Sequence, residues 1–446
     1  MTATDTDAIE RTLTEHNIHT VEVGVADTYG HLRGKRVPVG RFLSSVAHGG
    51  LNIADAIYVF DPVCDIVDSP IINMTTGYLD MHLKPDLASL RILTHRPGYA
   101  LVIADALNEH GDAHALSPRG VLKAQVARFT ALGYEPIIAT ELECYVCTSG
   151  WQPFQSHVQY SSLTDAQDLE DIVVHMRHAI LGAGIPLESS NPEYGPGQLE
   201  INFGPADPVT TADNTVIFKS IVKEVAVRNG ARASFMPKPW SGQSGSGMHI
   251  HISLNQHGRN AFESSVHEPN EPMAHVTAGL IHHAQAMSLV GIPTPNGYRR
   301  VRPYTFAPTH AHWGDDNRTV MARLTMNAGC ANRVEFRSAG ADANPYFAIA
   351  AVLAAASDGL ERTLPLEARS VGDMYTTPGD KPALPTDMRA AIDLYKNSGL
   401  AEQLGATFST NFVVMAENEL AQSAEFMTDD PDVVTDWERA RYLEHT

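Results

Sequence analysis

Apolar and polar positions alternate most clearly in four stretches of the chain. Between Val21 and Val39 the text VEVGVADTYGHLRGKRVPV holds two β-rich runs around Asp27-Thr28-Tyr29-Gly30, which predicts a hairpin with Gly30 as its turn residue. YALVIADAL, from Tyr99 to Leu107, reads as a buried strand. In PIIATELECYV, alternation places Glu141, Glu143 and Tyr145 on one face and Leu142, Cys144 and Val146 on the other. MHIHISL, from Met248, puts His249 and His251 on one face in the same way.

Helical periodicity fills the text between. Ser117-Pro118 supplies an N-cap with Pro at N1, VLKAQVARFTAL continues the period, and Gly133 ends it. A second helix is expected from about Ala212 to Arg228, closed by Asn229-Gly230, and a strand RASFMP then leads into the loop KPWSGQSGSG. Asn344-Pro345 opens another helix, whose apolar run Tyr346 to Ala356 is too short for the ~20 residues of a membrane span.

A chain of 446 residues exceeds what one core of about 250 to 300 residues holds. The periodicities divide it into a small mixed β domain over residues 1–112 and a larger domain over residues 113–446. The opening MTATDTDAIERTL has acids where a signal peptide needs basic residues, so a cytoplasmic location is expected. Four cysteines are too few for a disulfide framework, and Cys144-x-x-Cys147 lacks the second pair of a zinc site; two plain thiols on one strand are expected. A net charge of −20 disfavours nucleic acid and anionic membranes as partners and draws in cations.

Acids recur in apolar or glycine-rich settings: Glu141 and Glu143, Glu193 and Glu200 in NPEYGPGQLEINF, and Glu335 in NRVEFRSAG. With His249 they make two hard, oxygen-rich divalent sites of the kind Mg²⁺ or Mn²⁺ occupies. Arginines cluster beside them: Arg299 and Arg300, Arg318 and Arg323, Arg333 and Arg337. Such a clamp suits a transferring phosphate, yet the chain has no Walker A loop and no G-x-G-x-x-G before a helix.

The blocks ELE, PGQLE, FMPKPW…GSGMHIHISL, NGYRRVRP and VEFR…ANPY, in this order from Glu141 to Tyr346, resemble the signatures of the glutamine synthetase family. LDMHLKPDLASLRIL and ALVIADAL resemble its N-terminal β-grasp domain. The resemblance implies an α+β fold: a β-grasp domain followed by a catalytic domain with an antiparallel sheet and flanking helices. It implies one metal on Glu143, Glu193 and Glu200 and a second on Glu141, His249 and Glu335. By the same resemblance Gly245, His249, Arg300 and Arg337 hold glutamate, Arg318 and Arg323 neutralise the transferred phosphate, and His251, Ser253 and Arg333 sit at ATP. The reaction implied is formation of γ-glutamyl phosphate followed by displacement of phosphate by an amine, in a dodecamer of two hexameric rings.

Departures from the family pattern bear on the amine. Ala54, in GLNIADAIYVFD, takes the place of an aspartate that helps bind ammonium, and Phe306, in RVRPYTFAP, stands where a glutamate closes over it. Ser244 replaces an asparagine near glutamate. An apolar wall of Ala54, Ile57 and Phe306, with Tyr160, suits a small organic amine such as a polyamine, ethanolamine or another alkyl- or arylamine. The expected function is therefore a γ-glutamylamide synthetase, with Glu193 or Asp55 as the base. A glutamine synthetase using ammonia and an inactive structural homologue are the alternatives. The segment LPLEARSVGDMYTT has no counterpart of the tyrosine loop adenylylated in some relatives, so no such control is expected.

Overall fold

The computed structural model describes residues 3–157, 160–165, 167–264, 267–326, 331–428 and 430–446. Among these residues six strands form a first sheet: β1 (Thr20–Ala26), β2 (Leu32–Pro38), β3 (Leu51–Ala54), β4 (Asp80–Pro85), β5 (Arg91–Ile92) and β6 (Tyr99–Leu107). Their order is β2-β1-β6-β4-β3, with β5 on β6, and the β1–β6 pair is parallel. The expected hairpin is β1–β2. Gly30 turns it at φ +84°, where a Cβ would also press on the Cα of Asn344 at 3.3 Å.

Nine strands among the described residues form the second sheet: β7 (Glu135–Thr148), β8 (Leu187–Pro192), β9 (Gln198–Phe203), β10 (Ala231–Ser234), β11 (Met248–Gln256), β12 (Arg259–Asn260), β13 (Trp313–Asp315), β14 (Ala322–Thr325) and β15 (Arg333–Phe336). The order is β13-β14-β15-β11-β7-β9-β8, with β10 on β7 and β12 on β11. It is antiparallel as expected except for the parallel β13–β14 pair.

Among the helices behind this sheet, Pro118–Ala131, Pro208–Arg228, Glu271–Gly291 and Pro345–Glu361 are each opened by a capping side chain and a proline in the first two positions. The second begins four residues before the expected Ala212. Asp207 caps it through the N–H groups of Val209 and Thr210, and its polar first turns are bonded rather than solvated. Thr211 donates to the Ile138 carbonyl at 2.9 Å, and Asp213 accepts from Arg119 at 2.9 Å and from the Tyr346 hydroxyl at 2.5 Å. Buried polar groups survive in a core when satisfied this way.

Each sheet has its own apolar core. Val21, Val23, Tyr58, Leu83 and Val102 belong to the first; Ile138, Leu142, Phe218, Ile250 and Val352 belong to the second. β6 serves both, since Val102 faces the first core while Leu101 and Ile103 face the second, which is why its text is almost continuously apolar. Met415, from the helix Ala406–Ser423, also enters the first core. Cys144 and Cys147 are buried, unpaired thiols, and burial pushes both up to about 12.

Candidate active site

Strand register assembles the acidic centre. β7 runs between β11 and β9, so that Glu141 lies opposite His249 and Glu143 opposite Glu200. On the far side of β11, His251 faces Glu335, and Glu335 in turn faces Arg323 on β14. Directly opposed residues have Cβ atoms about 5 Å apart, so the pairing alone brings these side chains into contact range. Glu193 follows β8 and is returned to the group by its N–H bond to the Gln198 carbonyl at 2.8 Å.

Two triads result, Glu141-His249-Glu335 and Glu143-Glu193-Glu200, each with ligand atoms within 4.8 Å of one another. In the first, His249 Nδ1 lies 2.8 Å from Glu141 and 3.5 Å from Glu335. Burial opposes ionisation of Glu141, but hydrogen bonds from His249 and His251 outweigh it and hold the carboxyl below its usual range. Glu335 is buried too, and His249 and Arg337 bring it to about 2. Burial, with the charge of Arg337, lowers His249, which favours the neutral imidazole a metal needs.

The second triad carries the opposite strain. Burial and Glu193 push Glu143 up to about 7, and burial and Glu141 push Glu200 up to about 9. Burial raises Glu193 as well, despite the Tyr194 N–H and Asn191 amide it accepts at 3.1 Å. Crowded carboxylates of this kind are relieved by a cation, and the all-oxygen donor set fits a hard divalent ion. A third grouping, His282-His283-Asp358, already has its cation, because Arg362 donates to Asp358 at 2.8 Å.

The arginines separate by role. Arg299 turns away and pairs with Glu438 of the C-terminal helix at 2.7 Å. Arg300, its neighbour, is 3% exposed, donates to the Ala339 carbonyl at 3.2 Å, leaves Nε without a partner and has no ion pair among the described residues. Burial pulls its pKa below the ordinary value, although Glu143 opposes that. Its stem and head fill a glycine-lined slot: a Cβ on Gly245 would lie 2.6 Å from Arg300 Cγ, and one on Gly247 would lie 2.7 Å from a terminal nitrogen. Arg337 bonds Glu335 and also keeps an unpartnered Nε. Arg323 bridges Glu335 at 2.5 Å and Asp316 at 2.6 Å, while exposed Arg318 acts on Glu193 through its charge.

A cleft of about 580 Å³ opens beside the first triad, lined among others by Glu141, His251, Ser253 and Arg333. Arg333 Nε donates to His251 Nδ1 at 3.3 Å. Glu188, Asn202, Asn260 and Asn332 line it as well; each sits in sequence that reads as ordinary strand or loop, and no motif singled it out.

Of the residues expected at the amine, the structure gathers some and not others. The Phe306 ring meets Tyr194 at 5.5 Å between centroids, and Tyr194 meets Tyr160 at 6.4 Å. Tyr194 was not anticipated; its only signal was adjacency to Glu193. Ala54 ends β3 opposite Asp80, on the first sheet. Ile57 is spent in the first core, so in this chain it is no part of the wall that Phe306 makes. Asp55 is buried there too, and burial raises it to about 6. Ser244 gives its carbonyl to the Tyr145 hydroxyl at 2.8 Å.

A mixed sheet presenting two acidic triads, a guanidinium slot and an adjoining cleft fits a metal-assisted enzyme. The profile described as glutamine synthetase, catalytic domain, matches residues 115–442, and the chain belongs to that family. It is 32% identical over 450 residues to a glutamate–isopropylamine ligase of a Pseudomonas species, covering 96% of each chain. It is 33% identical to a gamma-glutamylethanolamide synthetase of Streptomyces coelicolor, covering 96% of this chain and 93% of that one. A glutamine synthetase of Methanococcus maripaludis is 35% identical over 82% of this chain and 84% of its own. Among solved structures, a GmaS/ADP complex superposes with a TM-score of 0.85 at 28% identity, covering 96% of this chain and 98% of that one.

Proposed function

We propose that this protein is an ATP-dependent ligase that joins the γ-carboxylate of glutamate to an organic amine. The observation that carries the reading is the contrast between the two sides of the site. The acids and arginines expected for glutamate activation lie together, whereas the side expected to take the amine offers the rings of Phe306, Tyr194 and Tyr160 in place of carboxylates for ammonium.

In this reading Arg300 and Arg337 hold the carboxylates of glutamate, with their unpartnered Nε groups as free donors, and Gly245 and Gly247 leave room for the guanidinium. Arg318 and Arg323 take up charge on the phosphate as it moves to the γ-carboxylate. His251, Ser253 and Arg333 place the nucleotide. Two divalent ions, Mg²⁺ or Mn²⁺, held by the two triads, would neutralise phosphate charge when bound. The amine then attacks the acyl phosphate: a C–N bond forms, phosphate leaves, and a proton passes from nitrogen to a carboxylate at hand, for which Glu193 is placed beside Tyr194.

Two domains, residues 1–112 and 113–446, and a dodecamer of two hexameric rings complete the reading. In such a ring a neighbour's first sheet would bring Ala54 and Asp55 toward Phe306. Phosphate release with glutamate, ATP and a panel of amines tests the function. A rate highest with ammonium would make the protein a glutamine synthetase proper, and no glutamate-dependent turnover would make it an inactive homologue.

A further inference from the structure

The rings of Tyr160, Tyr194 and Phe306 form one edge-to-face chain, with interplanar angles of 60° and 64°. All three are more than half exposed in the single chain, at 56%, 53% and 53%, on the side where the proposed ring would set a neighbour's Ala54 and Asp55. Three large aromatic side chains in a row at the surface need an explanation, since exposed apolar patches mark binding sites.

Each ring is held by its backbone. Beside Tyr160, the Ser161 N–H donates to the Pro192 carbonyl at 3.0 Å, which ties that loop to the end of β8. Tyr194 donates its N–H to the Glu193 carboxylate at 3.1 Å, so the second ring is fixed to the edge of the acidic centre. Phe306 sits at φ +63°, a left-handed conformation that a bulky residue adopts only when its surroundings impose it. Those surroundings are visible: Thr305 bonds back to the Arg302 carbonyl at 2.8 Å, and the Tyr375 hydroxyl donates to the Ala307 carbonyl at 3.1 Å. The same segment begins at Arg300, so the ridge and the glutamate slot belong to one continuous piece of chain.

Ring faces attract an ammonium group through the π quadrupole, and ring edges and faces accept another ring in the same edge-to-face manner. A second cationic group on the ligand would meet the field of Arg318, which already reaches Glu193. An alkyl group of two or three carbons would cover little of a three-ring ridge. Resting on the proposed ligase reading, the geometry points to an arylalkyl monoamine as the acceptor, seated with its aromatic body on Tyr194 and Phe306, and with Tyr194 as the residue that sets this preference.

The test is phosphate release by the full chain with Mg²⁺, ATP and glutamate, comparing 2-phenylethylamine, isopropylamine, ethanolamine, putrescine and ammonium. 2-Phenylethylamine is expected to have the highest kcat/KM, about tenfold above isopropylamine, the scale of one good aromatic contact. Tyr194→Ala should lower the phenylethylamine-to-isopropylamine ratio by about the same factor through KM, and Tyr194→Phe should keep it. Phe306→Leu should lower it as well, which guards against a Tyr194→Ala protein that fails to fold. Preference for isopropylamine, ethanolamine or putrescine would overturn this inference and leave the ligase reading standing. Preference for ammonium would overturn both, and an aryl preference that survives Tyr194→Ala and Phe306→Leu would remove the ridge as its cause.

Discussion

Arg299 and Arg300 are adjacent, equally buried guanidinium groups with opposite circumstances, and replacing each by methionine separates structure from function. Arg299 meets Glu438, which is 0% exposed, through Nε at 2.7 Å and a terminal nitrogen at 3.0 Å. Breaking a buried pair strands the other charge and costs about 3–5 kcal/mol. Arg300 has no ion pair among the described residues, so Arg300→Met removes a buried charge without breaking a bonded pair and should leave Tm unchanged or raised. What it forfeits is ligand binding: two charge-assisted hydrogen bonds to a carboxylate, about 1.5–3 kcal/mol each, correspond to about 10²- to 10⁴-fold in kcat/KM for glutamate. Thermal denaturation followed by fluorescence, together with glutamate titrations of phosphate release, reads both quantities. A normal glutamate KM in Arg300→Met, or an undiminished Tm in Arg299→Met, would refute the reasoning.

Gly245→Ala drives a Cβ to 2.6 Å from Arg300 Cγ and 2.9 Å from the Pro237 carbonyl, so glutamate KM should rise about tenfold or more while ADP affinity, measured by calorimetry, holds. Glu143 ionises near pH 7 in the fold but near 4.5 when unfolded, so without metal the folded state binds the extra proton and stability falls as pH rises from about 4.5 to 7. Glu200, raised further, extends that loss to about pH 9. Chelated protein should therefore melt lower at pH 8.5 than at pH 6, and added Mg²⁺ or Mn²⁺ should raise Tm more at the higher pH. Under native conditions a thiol reagent should label exposed Cys64 and spare Cys144 and Cys147, as peptide mass spectrometry would show.

Much of the centre was legible because it is written in short-range pattern. The period-two alternation of ELE and MHIHISL fixes which side chains share a face, and Ser117-Pro118 and Asn344-Pro345 mark helix starts by local chemistry. What escaped depends on distant partners. Nothing near Arg299 distinguishes it from Arg300, because the difference lies in Glu438. The polar text after Asp207 looks like loop until Arg119, Tyr346 and the Ile138 carbonyl satisfy it. Tyr194 and Phe306 are separated by more than a hundred residues, and only the fold brings their rings together.

The sheet register has a consequence for how such a protein can diversify. Inserting or deleting one residue in β7, β9, β11 or β15 would turn the candidate ligands beyond that point to the opposite face, so these strands tolerate almost no change in length. Tyr160, Tyr194 and Phe306 lie outside every strand, on connecting segments that can be rewritten without disturbing the pairing. The candidate ligands on strands and the three rings thus differ in how freely they can change, and two of the rings are held back by their neighbours in sequence: Glu193 beside Tyr194, and the Arg300 slot that leads into Phe306.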